Sequence, residues 1–142
     1  MTRETLGIIV CFAILITGCN PPDKVSFTKD FPTDVAKGDI FTFIITVHNE
    51  DSKSHEVRSV DIEETVLEGV LITEVIPKVV EEYDVFGERI FEIRSDVAAN
   101  SDLDVIFTAK AIKNGDFSGD LDVCVDGDAS CIFGHARIYI EG

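Results

Sequence analysis

The chain is short of positive charge. Its 142 residues carry 12 Lys and Arg against 27 Asp and Glu, a formal net charge of −15. Nucleic-acid binding depends on basic side chains that neutralise phosphate, so that class is excluded. The same imbalance argues against a domain lying flat on anionic lipid. Its plain consequence is solubility. Long apolar runs are missing too: Leu6–Ile16 (LGIIVCFAILI) would span about 16 Å as a helix, against roughly 30 Å of bilayer hydrocarbon. No HExxH or GxSxG motif occurs, and the EF-hand spacing is absent. The three histidines, His48, His55 and His135, fall on different expected strands or strand ends. We therefore assign no catalytic residue, no cofactor, no metal and no small-molecule substrate. Asp126 and Asp128, in a tight turn, could at most hold calcium weakly. The acids between Asp61 and Glu88 read as a solvated edge that discourages strand-to-strand aggregation.

What is present begins at the amino terminus. A short polar start with one basic residue, Arg3, leads into the apolar run, which ends at Ile16-Thr17-Gly18-Cys19. Length and flanks suit the core of an export signal. The order aliphatic, small, small, cysteine resembles the bacterial lipobox. That resemblance implies removal of residues 1–18 by cleavage between Gly18 and Cys19, with diacylglycerol on the Cys19 sulfur. The plainer alternative is an ordinary secretory signal or a short anchor with Cys19 incidental. At about 0.8 kcal/mol per buried methylene, two acyl chains give lasting membrane attachment where one does not. Residues 19–24 are then a tether, kept out of helix by Pro21 and Pro22 and reaching at most about 17 Å. Asn20 stands where, in enteric bacteria, an aspartate favours inner-membrane retention, so the resemblance points to an outer membrane.

Four cysteines look like an even set. Cys11 lies in the discarded segment and Cys19 takes the lipid, which leaves Cys124 and Cys131 in an exported, oxidising setting. Their spacing does not suit zinc. Leu121, Val123 and Val125 alternate with Asp120, Asp122 and Cys124, and Ile132, Gly134, Ala136, Ile138 and Ile140 alternate with Cys131, Phe133 and His135. Setting Cys124 opposite Cys131 in a hairpin places Val123 against Ile132 and Leu121 against Gly134. Both cysteines then share the outer, wet face. A one-residue slip would set aliphatics against aspartates. The register and the disulfide thus support each other, and the bond reads as a staple more than a redox centre. The same register sets Asp120 across from His135 with Arg137 diagonal, an exposed charge pair more than a catalytic group.

The remainder reads as strands at Val25–Thr28, Ile40–Asn49, Val57–Ile62, Val66–Ile76 after an irregular lead-in, Arg89–Arg94 and Leu103–Ala111. With the final hairpin this makes about eight, the pattern of an all-β antiparallel sandwich over residues 25–142. Lys37-Gly38-Asp39 leading into FTFIITVHNED, and VAANSDLDVIFTAKAIKNGDFSGDLDV later, resemble the Ig-like repeat domains of bacterial surface proteins, including the cell-adhesion-related type. The likeness covers roughly residues 24–140. It implies an Ig-like fold and an extracytoplasmic setting but no activity, since sites are grafted on such folds independently. One copy and a lipid anchor depart from the usual repeats. In an Ig arrangement Asp39–Asn49 lies beside Leu103–Ile112, so Ile40, Ile44, Ile106 and Ile112 face outward together, a candidate contact patch.

The expectation is a cell-envelope lipoprotein, held to the membrane through Cys19, that binds or adheres to an envelope protein without catalysis. The runner-up is a small inhibitor or protective lipoprotein that acts on an exported hydrolase through a sandwich loop.

Overall fold

Alternation in the sequence becomes pleat in the structure. The computed structural model describes residues 21–142, so the expected export segment 1–18 and Cys19 lie outside the described residues. Eleven strands and one helical turn follow in chain order: β1 Val25–Asp30, β2 Val35–Ala36, β3 Ile40–Asn49, β4 His55–Glu63, α1 Glu64–Leu67, β5 Val70–Ile76, β6 Glu81–Val85, β7 Glu88–Val97, β8 Ser101–Ala111, β9 Gly115–Val125, β10 Cys131–Ile132 and β11 His135–Glu141. One sheet has the order β1-β3-β8-β5. The other has the order β2-β11-β9-β4-β7-β6, with β10 also on β9. Among the described residues only β2 on β11 is parallel. All eight expected strands have a counterpart, but the one expected over Val66–Ile76 begins only at Val70, because Val66 and Leu67 belong to α1. Two are added, β2 and β6, and the last expected strand divides at Phe133-Gly134 into β10 and β11.

The sheets close on an aromatic centre. Phe43, Phe91 and Phe107 are fully buried. Phe43 stacks on Phe107 with ring centroids 4.8 Å apart, and on its other side lies Phe31 at 4.6 Å; Phe91 meets Phe107 edge-on at 5.1 Å. Burying one such ring contributes roughly 1.5–3 kcal/mol. Ile45, Val47, Val105 and Ala109 line the core from the four-strand sheet, and Val60, Ile62, Leu121 and Val123 from the other.

The final hairpin takes the expected register. Cys131 pairs with Cys124 and Ile132 with Val123, and from His135 opposite Asp120 the ladder runs unbroken to Ile140 opposite Gly115. Leu121 N–H donates to Gly134 C=O at 3.1 Å. Residue 134 has to be glycine there, because a Cβ would come within 2.6 Å of the Phe27 ring and 3.0 Å of the Leu121 carbonyl.

The connections separate into two ends. At the first, Glu50 N–H donates to Lys24 C=O (2.9 Å), Asn100 N–H to Asp51 C=O (3.0 Å) and Asp126 N–H to Glu56 C=O (2.8 Å). This end therefore gathers the start of β1 and the β3–β4, β7–β8 and β9–β10 turns. The chain from Pro22 enters here through a turn, Val25 N–H to Pro22 C=O at 3.2 Å, where extended chain is expected. At the second end, Gly38 N–H donates to Ala111 C=O, Glu64 N–H to Gly87 C=O and Ile112 N–H to Gly69 C=O, each at 2.8 Å.

Candidate functional site

Ile40, Ile44 and Ile106 share the outward face of the four-strand sheet, whereas Ile112 lies one residue beyond β8, where its N–H donates to Gly69 C=O. Ile44 on β3 pairs with Ile106 on β8, and Ile106 pairs in turn with Ile76 on β5. Two outward positions along, toward the second end, Ile40 pairs with Lys110 and Lys110 with Leu71. Between the two rows lie Thr42, Thr108 and Glu74. Ile40 is 72% exposed, Leu71 55% and Ile112 48%. Ile44 and Ile106 are half-buried. The sequence reading omits Leu71 and Ile76. A bulge between Ile72 and Glu74 shifts β5 by one position, so Leu71 and Ile76 both face out although their spacing is odd.

The outer face of the other sheet departs from expectation. The Asp122–Cys124 stretch was to be wet, yet Cys124 is fully buried and Asp122 only 8% exposed. Gly134 N–H donates to the Asp122 carboxylate, and Asp128 closes a small cavity of about 160 Å³ with Ser59, Asp61, Tyr83, Val85 and Ile90. Asp61 pairs directly with Asp122 across the ladder. Burial raises both carboxyls to about 6, and the neighbouring carboxylates Glu88 and Asp128 add to the effect at Asp61. Ser59 Oγ donates to Asp61 at 2.7 Å. Asp122 Oδ1 has no hydrogen-bond partner among the described residues.

The disulfide forms between Cys124 and Cys131. Cys124 Sγ lies 3.4 Å from Asp61 Oδ2. A disulfide sulfur carries no proton, so the contact is favourable only while Asp61 supplies one. Asp61, Cys124 and Cys131 offer atoms within 4.8 Å of one another, but with both sulfurs bonded to each other the trio lacks the thiolates a soft metal needs. The two acids of the turn have protein partners: Asp126 accepts from His55 (2.6 Å) and Glu56 N–H (2.8 Å), and Asp128 lies 3.7 Å from Arg58. Arg137 turns away from Asp120 and takes Asp116 bidentately, at 2.7 Å on both oxygens.

The histidines do not converge, and two of them sit among carboxylates. His55, 5% exposed, has Asp126 on Nδ1 at 2.6 Å and Asp51 on Nε2 at 2.9 Å. Burial pushes its pKa down, but the hydrogen bonds to Asp126 and Asp51 outweigh burial and the net direction is up. The hydrogen bond from His55 holds Asp51 below the usual carboxylate range. On the other sheet His48 Nδ1 meets Asp102 at 2.9 Å and His48 Nε2 meets Thr28 Oγ1 at 2.9 Å. A carboxylate only accepts, so the ring proton belongs on Nδ1 and the Thr28 hydroxyl donates to Nε2. This is the order of a hydroxyl–imidazole–carboxylate relay. It stands near the ends of β3 and β8 on an open face, however, with the Asp102 side chain 60% exposed, where solvent weakens each link.

No protein-family profile matches the chain, and no curated protein matches it. Solved structures match at the level of fold. The chain is similar to part of the Vibrio cholerae VesB protease (TM-score 0.50, 8% identity), covering 84% of this chain and 32% of that one. It is similar to the cupredoxin domain of amoB from Nitrosocaldus yellowstonii (TM-score 0.51, 8% identity), over 86% of this chain and 90% of that one. It is also similar to a PapD-like domain of human CEP192 (TM-score 0.51, 14% identity), over 84% and 87%. The chain thus spans about a third of the protease's length. Likenesses this distant establish a β-sandwich of the Ig-like, cupredoxin and PapD-like kind, and nothing about activity.

Proposed function

We propose that the chain is a lipid-anchored cell-envelope module that binds a partner protein without catalysis, through the outward face of its four-strand sheet. One observation carries the reading: the tether and three of the exposed aliphatics lie at opposite ends. Lys24 leaves at the Asn49 end through its bond from Glu50, whereas Ile40, Leu71 and Ile112 crowd the far end of the same sheet. An anchored domain so built presents its apolar rows away from the bilayer. A photo-crosslinking residue at position 112, in the full chain in its own cells, is expected to capture an envelope protein. The same residue at position 53, near the tether, is expected to stay silent. Repeated failure at 112 after detergent extraction would overturn the reading. The outer membrane remains the favoured site on the strength of Asn20.

A second reading, an inhibitor that blocks an exported hydrolase through a sandwich loop, is favoured by one feature. Phe86 stands fully exposed at the apex of the β6–β7 turn. Lack of inhibition across a panel of secreted proteases and lysozymes would remove it.

A further inference from the structure

We infer that Phe86 is a binding anchor that enters an aromatic-sized apolar pocket, rimmed by Lys or Arg, on the partner protein. This rests on the binding-module reading and adds a determinant and a partner chemistry to it.

Val85 pairs with Glu88, so β6 and β7 are joined by two residues, Phe86 and Gly87. Both have positive φ, 49° and 81°. That is the pattern of a type I′ turn, for which Asn-Gly is the suited pair. Phenylalanine is a poor occupant of this conformation, since a bulky side chain is strained at positive φ. It is also a poor occupant of this place, since the whole ring lies in solvent. The site therefore carries two costs, and among the described residues no packing offsets either. Unfavourable conformations of this kind persist where they serve recognition.

The backbone beneath the ring is held firmly. Gly87 C=O accepts from Glu64 N–H at 2.8 Å, which ties the turn to α1, and the Val85–Glu88 pair closes it. A ring presented on a fixed support loses little freedom on binding, and aromatic anchors of this kind dominate interface energetics.

Charge indicates what surrounds the pocket. Every residue of β6 is exposed. Glu81, Glu82 and Asp84 flank the turn from that strand, and Glu88 from β7. Arg89, the cation nearest the turn in sequence, is tied to Asp84 at 3.0 Å and lies 3.9 Å from Glu82. An apolar tip on an acidic stalk complements a pocket with a basic rim. A second copy of this chain, at −15, is a poor match. The turn also lies at the end away from the tether, as its bond to Glu64 shows.

The test places a photo-crosslinking residue at Val85 in the full, anchored chain in its own cells. Peptide mapping of the adduct is expected to place the crosslink on a different protein, beside an apolar pocket bordered by Lys or Arg. Phe86→Asn is expected to cut the adduct about tenfold, Phe86→Trp to retain it, and added salt to weaken it. In the purified domain Phe86→Asn is expected to raise Tm by about 2–4 °C, since Asn suits the backbone better. An adduct undiminished in Phe86→Asn, an adduct of twice the chain's own mass, a crosslink to an acidic or pocketless surface, or a fall in Tm overturns the anchor. A Phe86-independent adduct at 112 beside silence at 85 overturns only the anchor. Silence at both positions removes the proposed function as well.

Discussion

His55 bridges two turns that the sequence keeps far apart, holding Asp51 of the β3–β4 connection and Asp126 of the β9–β10 connection on its two nitrogens. Its folded pKa is raised above the ordinary 6.5. It therefore contributes stability that is complete below that value and is lost as pH rises through the folded pKa. Asp51, whose pKa is lowered from 3.8, contributes above that value and loses its share as pH falls through the lowered one. The clamp is strongest in the window between. In that window His55→Gln is expected to lower Tm by about 5 °C, and the gap from wild type is expected to narrow in alkaline buffer. A gap independent of pH would show that His55 acts by packing alone. Asp61 has the opposite character. Its carboxyl is raised from 3.8 to about 6, so its charged form penalises the fold and stability falls as pH rises through about 6. Asp61→Asn is expected to stabilise the domain by ~2 kcal/mol above that pH, after allowance for solvent, and by little near 3.8. Urea unfolding at the two pH values checks it. Asp122→Asn is expected to act with the same sign, and the two gains will not simply add because the residues are direct cross-strand partners.

At the scale of elements, the disulfide closes a ring across a sequence separation of 7. The chain-entropy account gives such a ring about 2–3 kcal/mol. Replacing both Cys124 and Cys131 by Ala is expected to cost that amount. The loss of hydrogen-exchange protection should be confined to β10 and the Val125 amide, which donates to Ser130 C=O at 2.8 Å, while β3 and β8 stay protected. Protection lost throughout would mean that the hairpin nucleates the sandwich. This hairpin is legible in the sequence because apolar and polar residues alternate along both its strands, so only one register keeps aliphatics together. The same holds for β3 against β8. Strand β6 was not legible, because none of its five residues is buried and it is held through backbone pairing to β7. Strand β2 is two residues long and has no period to read. The contact patch was read in part: Ile40, Ile44, Ile106 and Ile112 follow from parity, but the bulge in β5 hid Leu71 and Ile76. The His55 clamp was invisible because its partner Asp126 lies 71 residues away in the sequence. The burial of Asp122 was missed because alternation gives a side chain its face and says nothing of what covers it.

For the whole molecule, charge and the proposed tether would act together. The end where the chain enters carries Asp23, Glu50, Asp51, Asp126 and Asp128, a set that an anionic leaflet repels. A domain of this charge holds to a membrane only if something other than its own surface keeps it there. On the lipoprotein reading, that is the acylated Cys19. Two chains bind effectively without release, whereas a bare polypeptide of net charge −15 has no affinity of its own. The expected mature protein begins at Cys19, partitions into detergent on phase separation, and has the mass of residues 19–142 plus its acyl groups, less the two hydrogens of the disulfide. Cys19→Ala should partition into the aqueous phase. Its Tm should match that of the unanchored domain, because the nearest tether contact, Val25 N–H to Pro22 C=O, lies beyond the substituted residue. Crosslinking from positions 85 and 112 should fall with it, since the partner is then met only by diffusion and no longer at the high effective concentration of a shared surface. A wild-type chain that stays in the aqueous phase, or a mature mass without acyl groups, would detach the sandwich from the membrane. The opposed placement of tether and apolar rows would then lose its purpose.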